Sequence, residues 1–173
     1  KKGRGEEGGG GRGGEVEKAT TKIREEVVCT QLALLKHTAA VVSLSSYSPT
    51  ADLIVTATLD GRVWVWSTGG DHLHTVQAHT GKVNVLEFFE GGRGANGGGD
   101  ESNGDEVGIV MTAGDDGKVK FISARTGGEV GVVDAHTTAV SVAAFSPPPL
   151  RKVVTATMLG DGFLWDLDKL LHK

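Results

Sequence analysis

The sequence predicts an all-β fold in which one unit of four short antiparallel strands is used three times. Three observations carry that prediction. Segments 37–66, 79–122 and 136–165 align in register, and each opens on His-Thr. The separations inside them recur: 19 residues from His37 to Thr56 and from His136 to Thr155, and 10 from Thr56 to Trp66, Thr112 to Ile122 and Thr155 to Trp165. Between these fixed points lie β-rich runs of strand length, bounded by turn-forming residues.

The first unit sets out the elements in order. Residues 40–46, 53–57 and 62–66 read as its first three strands. Ser48-Pro49 punctuates the first turn and Asp60-Gly61 the second, and Asp-Gly between apolar runs is a strong hairpin signal. A fourth run, 72–77, precedes the next His. The other units repeat the plan. Val41, Val83 and Val140 each sit four residues after the His, Asp116-Gly117 and Ser146-Pro147 mark turns, and 129–134 is a second fourth run. His79 to Thr112 spans 33 residues, 14 more than the other two units, and the excess falls in 91–106. That stretch is therefore an insertion between the first and second strands of the middle unit. Four short antiparallel strands in about 42 residues describe one blade of a β-propeller.

Composition agrees once its anomaly is located. The chain has 27 glycines in 173 residues, and eight fall in 1–14 and eight in 91–108. Glycine at that density without a three-residue period excludes collagen, and the ordinary composition of the rest excludes a wholly disordered chain. Hydrophobic residues are 38% and charged residues 23%, as in a water-soluble domain. A formal net charge of −4 gives no general basic field for nucleic acid or anionic membrane. The single cysteine, Cys29, excludes an internal disulfide framework and fits a reducing compartment, so an intracellular location, cytoplasmic or nuclear, is expected. No apolar run approaches a membrane span. The chain opens on Lys1 with no signal-peptide pattern and is expected to start inside a longer protein.

The residues at the fixed points resemble the WD-repeat (β-transducin-type) β-propeller family over about residues 28–173. The resemblance implies a structural hydrogen-bond tetrad in each blade: a His before the first strand, a Ser or Thr on the second, an Asp in the hairpin turn and a Trp on the third. The first unit has all four as His37, Thr56, Asp60 and Trp66. The second has His79, Thr112 and Asp116, with Ile122 in place of Trp, and the third has His136, Thr155 and Trp165, with Leu159 in place of Asp. Loss of the anion or the indole donor is expected to cost on the order of 1–3 kcal/mol in those blades.

The expected organisation is a Gly/Arg/Glu-rich leader, 1–27, possible in part as helix, followed by a partial propeller, 28–173. Within it lie an outer strand 28–36, a blade 37–78, a blade 79–135 carrying the insertion 91–106, and an incomplete blade 136–173 that lacks its fourth strand. A helix over the first half of 15–36 is the rival for the region before the first blade. Three blades do not close a ring of four to eight. The resemblance implies part of a seven-bladed propeller.

Several motifs mimic chemistry. Residues 92–97 spell G-x-G-x-x-G after a strand, but the following GGDESNGD cannot form the helix that a dinucleotide site requires. Asp100, Asn103, Asp105 and Glu106 offer oxygen ligands without the EF-hand spacing, so an acidic solvated loop is preferred to a calcium site. His72 and His74 are placed on one strand face, short of the ligands a metal needs. His37, His79 and His136 fall one per blade and read as structural partners, not as a metal or base triad. No strained nucleophile turn occurs. No catalytic residue, metal or cofactor is expected. Ser48-Pro49 and Ser146-Pro147 read as turns before phosphorylation sites.

The resemblance implies a non-catalytic scaffold assembling protein complexes, with other proteins as partners and no membrane or small-molecule substrate. The expected contact surface is the end carrying the loops before each first strand and the second hairpin turns. Its candidates are Lys36, Thr38, Arg62, Trp64, Thr80, Lys82, Lys118, Lys120, Thr137 and Asp161. Trp64 is expected to face away from Trp66, either as an exposed anchor or as core between blades. The alternative is an RNA- or ribonucleoprotein-associated propeller using Arg4 and Arg12 of the leader, which carries a net +2 over 1–14. A third reading attaches the propeller to a catalytic domain outside this sequence.

Overall fold

A computed structural model describes residues 31–48, 52–90, 107–147 and 150–171. The leader 1–27, the insertion 91–106 with its glycine motif and acidic residues, and Cys29 lie outside the described residues. Among the described residues, eleven strands form three antiparallel sheets and there is one short helix. The first holds β1 (Val41–Ser48), β2 (Leu53–Thr58), β3 (Arg62–Ser67) and β4 (His72–Gln77) in chain order. The second repeats this order with β5 (Val83–Glu90), β6 (Val107–Gly114), β7 (Val119–Ser123) and β8 (Glu129–Val133). The third is three-stranded, β9 (Val140–Phe145), β10 (Lys152–Thr157) and β11 (Gly162–Asp166), and α1 (Leu167–Leu171) follows it. The fold is the all-β, blade-like architecture that the spacings predict. Residues 31–36, expected in an outer strand, carry no strand; Leu32 and Leu34 there are exposed, and Ala33 lies against Gly70.

Two apolar layers lie between the sheets. Val55, Ala57, Val63 and Val65 of the first sheet pack with Val83, Leu86, Val110 and Ile122 of the second. Met111, Ala113, Val119 and Phe121, on the other face of the second sheet, pack with Val140, Ala143 and Val153 of the third and with Leu167 of α1. The alternation of strand residues allows one sheet to serve two layers. The middle sheet is therefore buried on both faces. The third sheet shows water its outer face, where Ala144, Val154 and Leu164 form one cross-strand row beside Val142. Polar links cross the second layer as well. Glu87 accepts a bond from the Phe145 amide at 3.0 Å, and Asn84 donates to the Val140 carbonyl at 3.1 Å. Burial pushes the Glu87 carboxyl up, against the Phe145 amide that favours its charged form.

The β2–β3 turn shows why Asp-Gly was informative. Gly61 has φ +84°, a conformation that costs side-chain-bearing residues, and a Cβ there would stand 2.1 Å from the His79 carbonyl oxygen. The same turn thereby receives the Ala78 and His79 amides on the Gly61 carbonyl, joining the first blade to the second. Gly160 occupies the equivalent turn at φ +96° with open space around it. Gly160→Ala is expected to cost about 1–2 kcal/mol from backbone strain alone. Gly61→Ala adds a backbone clash and is expected to cost more than that. Urea denaturation of the two variants measures the difference.

Candidate functional site

The loops before the first strands and the second hairpin turns meet at one end of the sheets. Leu59 N donates to Ala40 O at 2.8 Å, and Asp115 N donates to Lys82 O at 3.0 Å. Gly117 packs on the His136 and Thr138 carbonyls. Each blade anchors this end with a bond between its His and the Thr of the second strand. His37 Nε2 lies 2.6 Å from Thr56 Oγ1, His79 Nε2 lies 2.9 Å from Thr112 Oγ1, and His136 Nε2 lies 2.8 Å from Thr155 Oγ1. Trp66 Nε1 donates to Thr56 Oγ1 at 3.1 Å, and Trp165 Nε1 donates to Thr155 Oγ1 at 2.8 Å. Ile122 brings no donor, but it is buried in the apolar layer against the first sheet.

The fourth member differs in every blade. In the second, Asp116 accepts from His79 Nδ1 at 2.8 Å and from the Thr80 and Lys118 amides. Burial lowers the affinity of His79 for a second proton, and the bond and charge of Asp116 only partly offset it. Burial pushes Asp116 up, but its bonds with His79 and the two amides hold it below the usual carboxylate range. The contact is thus a neutral imidazole N–H donating to a carboxylate. In the first blade Asp60 does not fill this role. It accepts from Thr58 Oγ1 at 2.5 Å, and this hydroxyl is the chief cause of its lowered pKa. His37 instead bonds the Leu35 backbone. The reason is local. The second blade has Gly114 where the first has Thr58, and a Cβ on Gly114 would stand 2.7 Å from the His79 ring. A bare glycine lets the imidazole descend to the carboxylate, whereas Thr58 takes the carboxylate for itself.

The third blade has neither arrangement. Leu159 stands at the Asp position, exposed, and Phe163 stands where the first blade has Trp64. Two buried polar atoms lose their partners as a result: His136 Nδ1 and Thr157 Oγ1. Thr157 is the counterpart of Thr58, which holds Asp60 and accepts from Trp64 Nε1 at 3.3 Å. The unmade bonds follow from two substitutions in one hairpin.

Two expectations about aromatic and imidazole groups need correction. Trp64 is only 8% exposed and stacks on Trp66, with centroids 5.8 Å apart and planes at 10°. Residues two apart on a strand share a face, so the pair could not point in opposite directions. His37 and His72 close edge-on around them. His72 and His74 do not act as a pair on one face. A register shift opposes Val65 to His74 and Trp66 to His72, and this bulge sends His72 onto the tryptophans and His74 against Gly127 of the second blade. Among the described residues no three His, Cys, Asp or Glu side chains group as a metal centre.

The remaining candidates line the same end. Arg62 donates to Thr38 at 2.9 Å and to Gln77 at 3.3 Å, and Gln77 donates to the Asp60 and His79 carbonyls. Lys118 and Lys120 pair with Asp134 and Glu129 at 2.9 and 2.8 Å. Lys36, Thr80, Lys82, Thr137 and Asp161 are exposed. Sequence reasoning missed Thr58, Asn84, Glu87 and Thr138. Thr58 had a signal, two positions after Thr56 and echoed by Thr157; the others had none.

Comparison with known proteins agrees with this geometry. The family described as "WD domain, G-beta repeat" matches residues 29–67. That match covers 39 of the 173 residues and falls on the first of the three repeated units. It is 30% identical over 110 residues to a protein named "Probable coatomer subunit beta'" from Schizosaccharomyces pombe, covering 63% of this chain and 12% of that protein. The chain thus spans about an eighth of the length of that curated relative. Among solved structures it resembles the computationally designed Ika4 protein, at 25% identity and a TM-score of 0.63, covering 81% of this chain and 74% of Ika4. It also resembles the designed Ika8 protein, at 25% identity and a TM-score of 0.60, covering 80% of this chain and 37% of Ika8.

The histidines set the acid response. Burial leads in lowering His37, His74 and His79 below 6.5. Below 6.5 the unfolded chain binds protons that the folded chain does not, so stability present above that pH is lost as pH falls through the folded values. The melting temperature is expected to fall between pH 7.5 and 5.0. His79→Gln should start lower at pH 7.5 but decline less steeply. Calorimetry across that range checks both.

Proposed function

We propose that the chain is a non-catalytic protein-interaction scaffold that assembles multiprotein complexes through the end of its sheets bearing the pre-strand loops and second hairpin turns. The observation that carries this reading is that loop and turn are fastened to each other and to the next blade. The Ala40–Leu59, Gly61–His79 and Lys82–Asp115 backbone bonds hold that end. Loops held rigidly by a scaffold lose little entropy when they bind. WD repeats, and similarity to a protein named as a coatomer subunit, support protein partners. Among the described residues no helix is long and apolar enough to cross a membrane.

The test is affinity purification with the full chain from cells of its source. A Lys36→Glu/Lys82→Glu double variant changes two exposed residues at this end. It is expected to keep its stability within about 0.5 kcal/mol per site and to lose its partner proteins. Arg125→Glu, exposed in the turn between β7 and β8, should retain them. Recovery of no stable partner, or equal recovery by all three proteins, overturns the proposal.

A further inference from the structure

The two outer blades are unfinished in complementary ways. In the first two blades, the residue before the anchoring Thr and the residue before the Trp or Ile of the third strand face the next blade. These are Val55 and Val65 in the first and Met111 and Phe121 in the second, each no more than 1% exposed. The first strand of the following blade helps to cover them, with Val83 and Leu86 of β5 and with Val140 and Ala143 of β9. Val154 and Leu164 hold the same two positions in the third blade and are 46% and 69% exposed. Among the described residues the third sheet also stops at β11, where the first two continue to β4 and β8. It thus has a bare apolar face and an open strand edge, and both favour pairing with another chain.

The first blade carries the missing parts. Val41 stands at the position of Val83 and Val140, which are fully buried, yet it is 45% exposed. Residues 31–36 come just before His37, as β4 comes before His79 and β8 before His136. They are also placed as a fourth strand is placed. Gly127 in the β7–β8 turn lies against His74 and Val76 of β4, and Gly70 in the β3–β4 turn lies against Ala33 and Leu35. The segment therefore stands beside the first blade as β4 stands beside the second. It has no third strand to pair with among the described residues, and Leu32 and Leu34 are exposed. It cannot serve its own third sheet. His37, the next residue, is fastened to Thr56 of the first sheet, and the middle sheet stands between.

From these observations we infer that two copies of the chain join head to tail. The first blade of each copy packs β1 on the Val154 and Leu164 face of the other, and residues 31–36 add to β11 as its fourth strand. Each joint repeats the contact that already links the first blade to the second and the second to the third. A head-to-tail contact closes into a ring or grows without limit. Two copies bring six blades, inside the four to eight of closed propellers, whereas three copies bring nine. The assembly is therefore a closed dimer. This inference goes beyond the scaffold reading and does not depend on it.

Light scattering coupled to size exclusion, run on the full 173-residue chain, tests it. The expected mass is twice 18.0 kDa, falling toward 18.0 kDa on dilution. Leu164→Lys alters the third sheet, and Leu32→Glu/Leu34→Glu alters the leading segment, all at exposed positions. Each variant alone is expected to be a monomer that still unfolds cooperatively on heating. Mixed in equal amounts, they are expected to recover the dimer, because one joint is then unaltered and the other sets Lys against Glu. Copies meeting third sheet to third sheet would instead lose the dimer in Leu164→Lys and keep it in Leu32→Glu/Leu34→Glu. The inference is overturned by a mass of 18.0 kDa at every concentration, by masses beyond the dimer, by either variant remaining dimeric, or by a mixture that stays monomeric. None of these results alters the scaffold reading, which needs only the loop-bearing end of the sheets.

Discussion

One hydrogen bond, between a histidine before the first strand and a threonine on the second, recurs in all three blades at 2.6 to 2.9 Å. Everything else at that end is arranged around it. The bond fixes the loop that enters each sheet against the strand that leaves the next turn. It spans 19 residues in the first and third blades and 33 in the middle one. A single bond of this kind contributes roughly 1 kcal/mol net, but leaving either partner buried and unpaired costs more. Its weight is thus less in what it adds than in what its absence would expose.

The groups around that bond vary, and the variation follows steric rules. A threonine two residues beyond the anchoring one captures the turn aspartate in the first blade. A glycine at the same place frees the aspartate for the histidine in the second. Replacing Trp by Ile122 costs a donor but fills the apolar layer between blades. Replacing Asp by Leu159 has no comparable recompense inside the third blade, since two polar atoms stay unpaired. The three blades therefore carry different local balances within one backbone plan.

Much of that plan was legible in the sequence because it rests on period and spacing. The recurring separation from His to Thr, the Asp60-Gly61 and Asp116-Gly117 turns, and the excess length at 91–106 sufficed to place strands within a residue or two of where they lie. Contacts that depend on a single atom were not legible. Whether Asp60 meets His37 depends on a Cβ two residues away. The separation of His72 from His74 depends on a bulge, which inserts a residue without altering the apolar pattern. The pairing of Trp64 with Trp66 on one face did follow from strand period; an incorrect assignment of face, not a missing signal, set Trp64 opposite Trp66. The sequence placed Leu159 in a hairpin turn, at the Asp position, but the exposure of Leu159 and Met158 is known only from the hairpin geometry.

The double burial of the middle sheet has a dynamic consequence. In a stack where each unit touches only its neighbours, a unit's protection is the sum of its interfaces. The outer sheets each share one layer, whereas the middle sheet shares both. Detachment of either outer sheet breaks one layer and leaves the other intact, so such openings are local. Freeing the amides of β6 and β7 requires both layers to part. Those amides report the global unfolding free energy, and the outer strands report a cheaper, partial event. The chain is thus graded along its length, with its most persistent backbone in the blade whose His-to-Thr span is fourteen residues longer than in the other two.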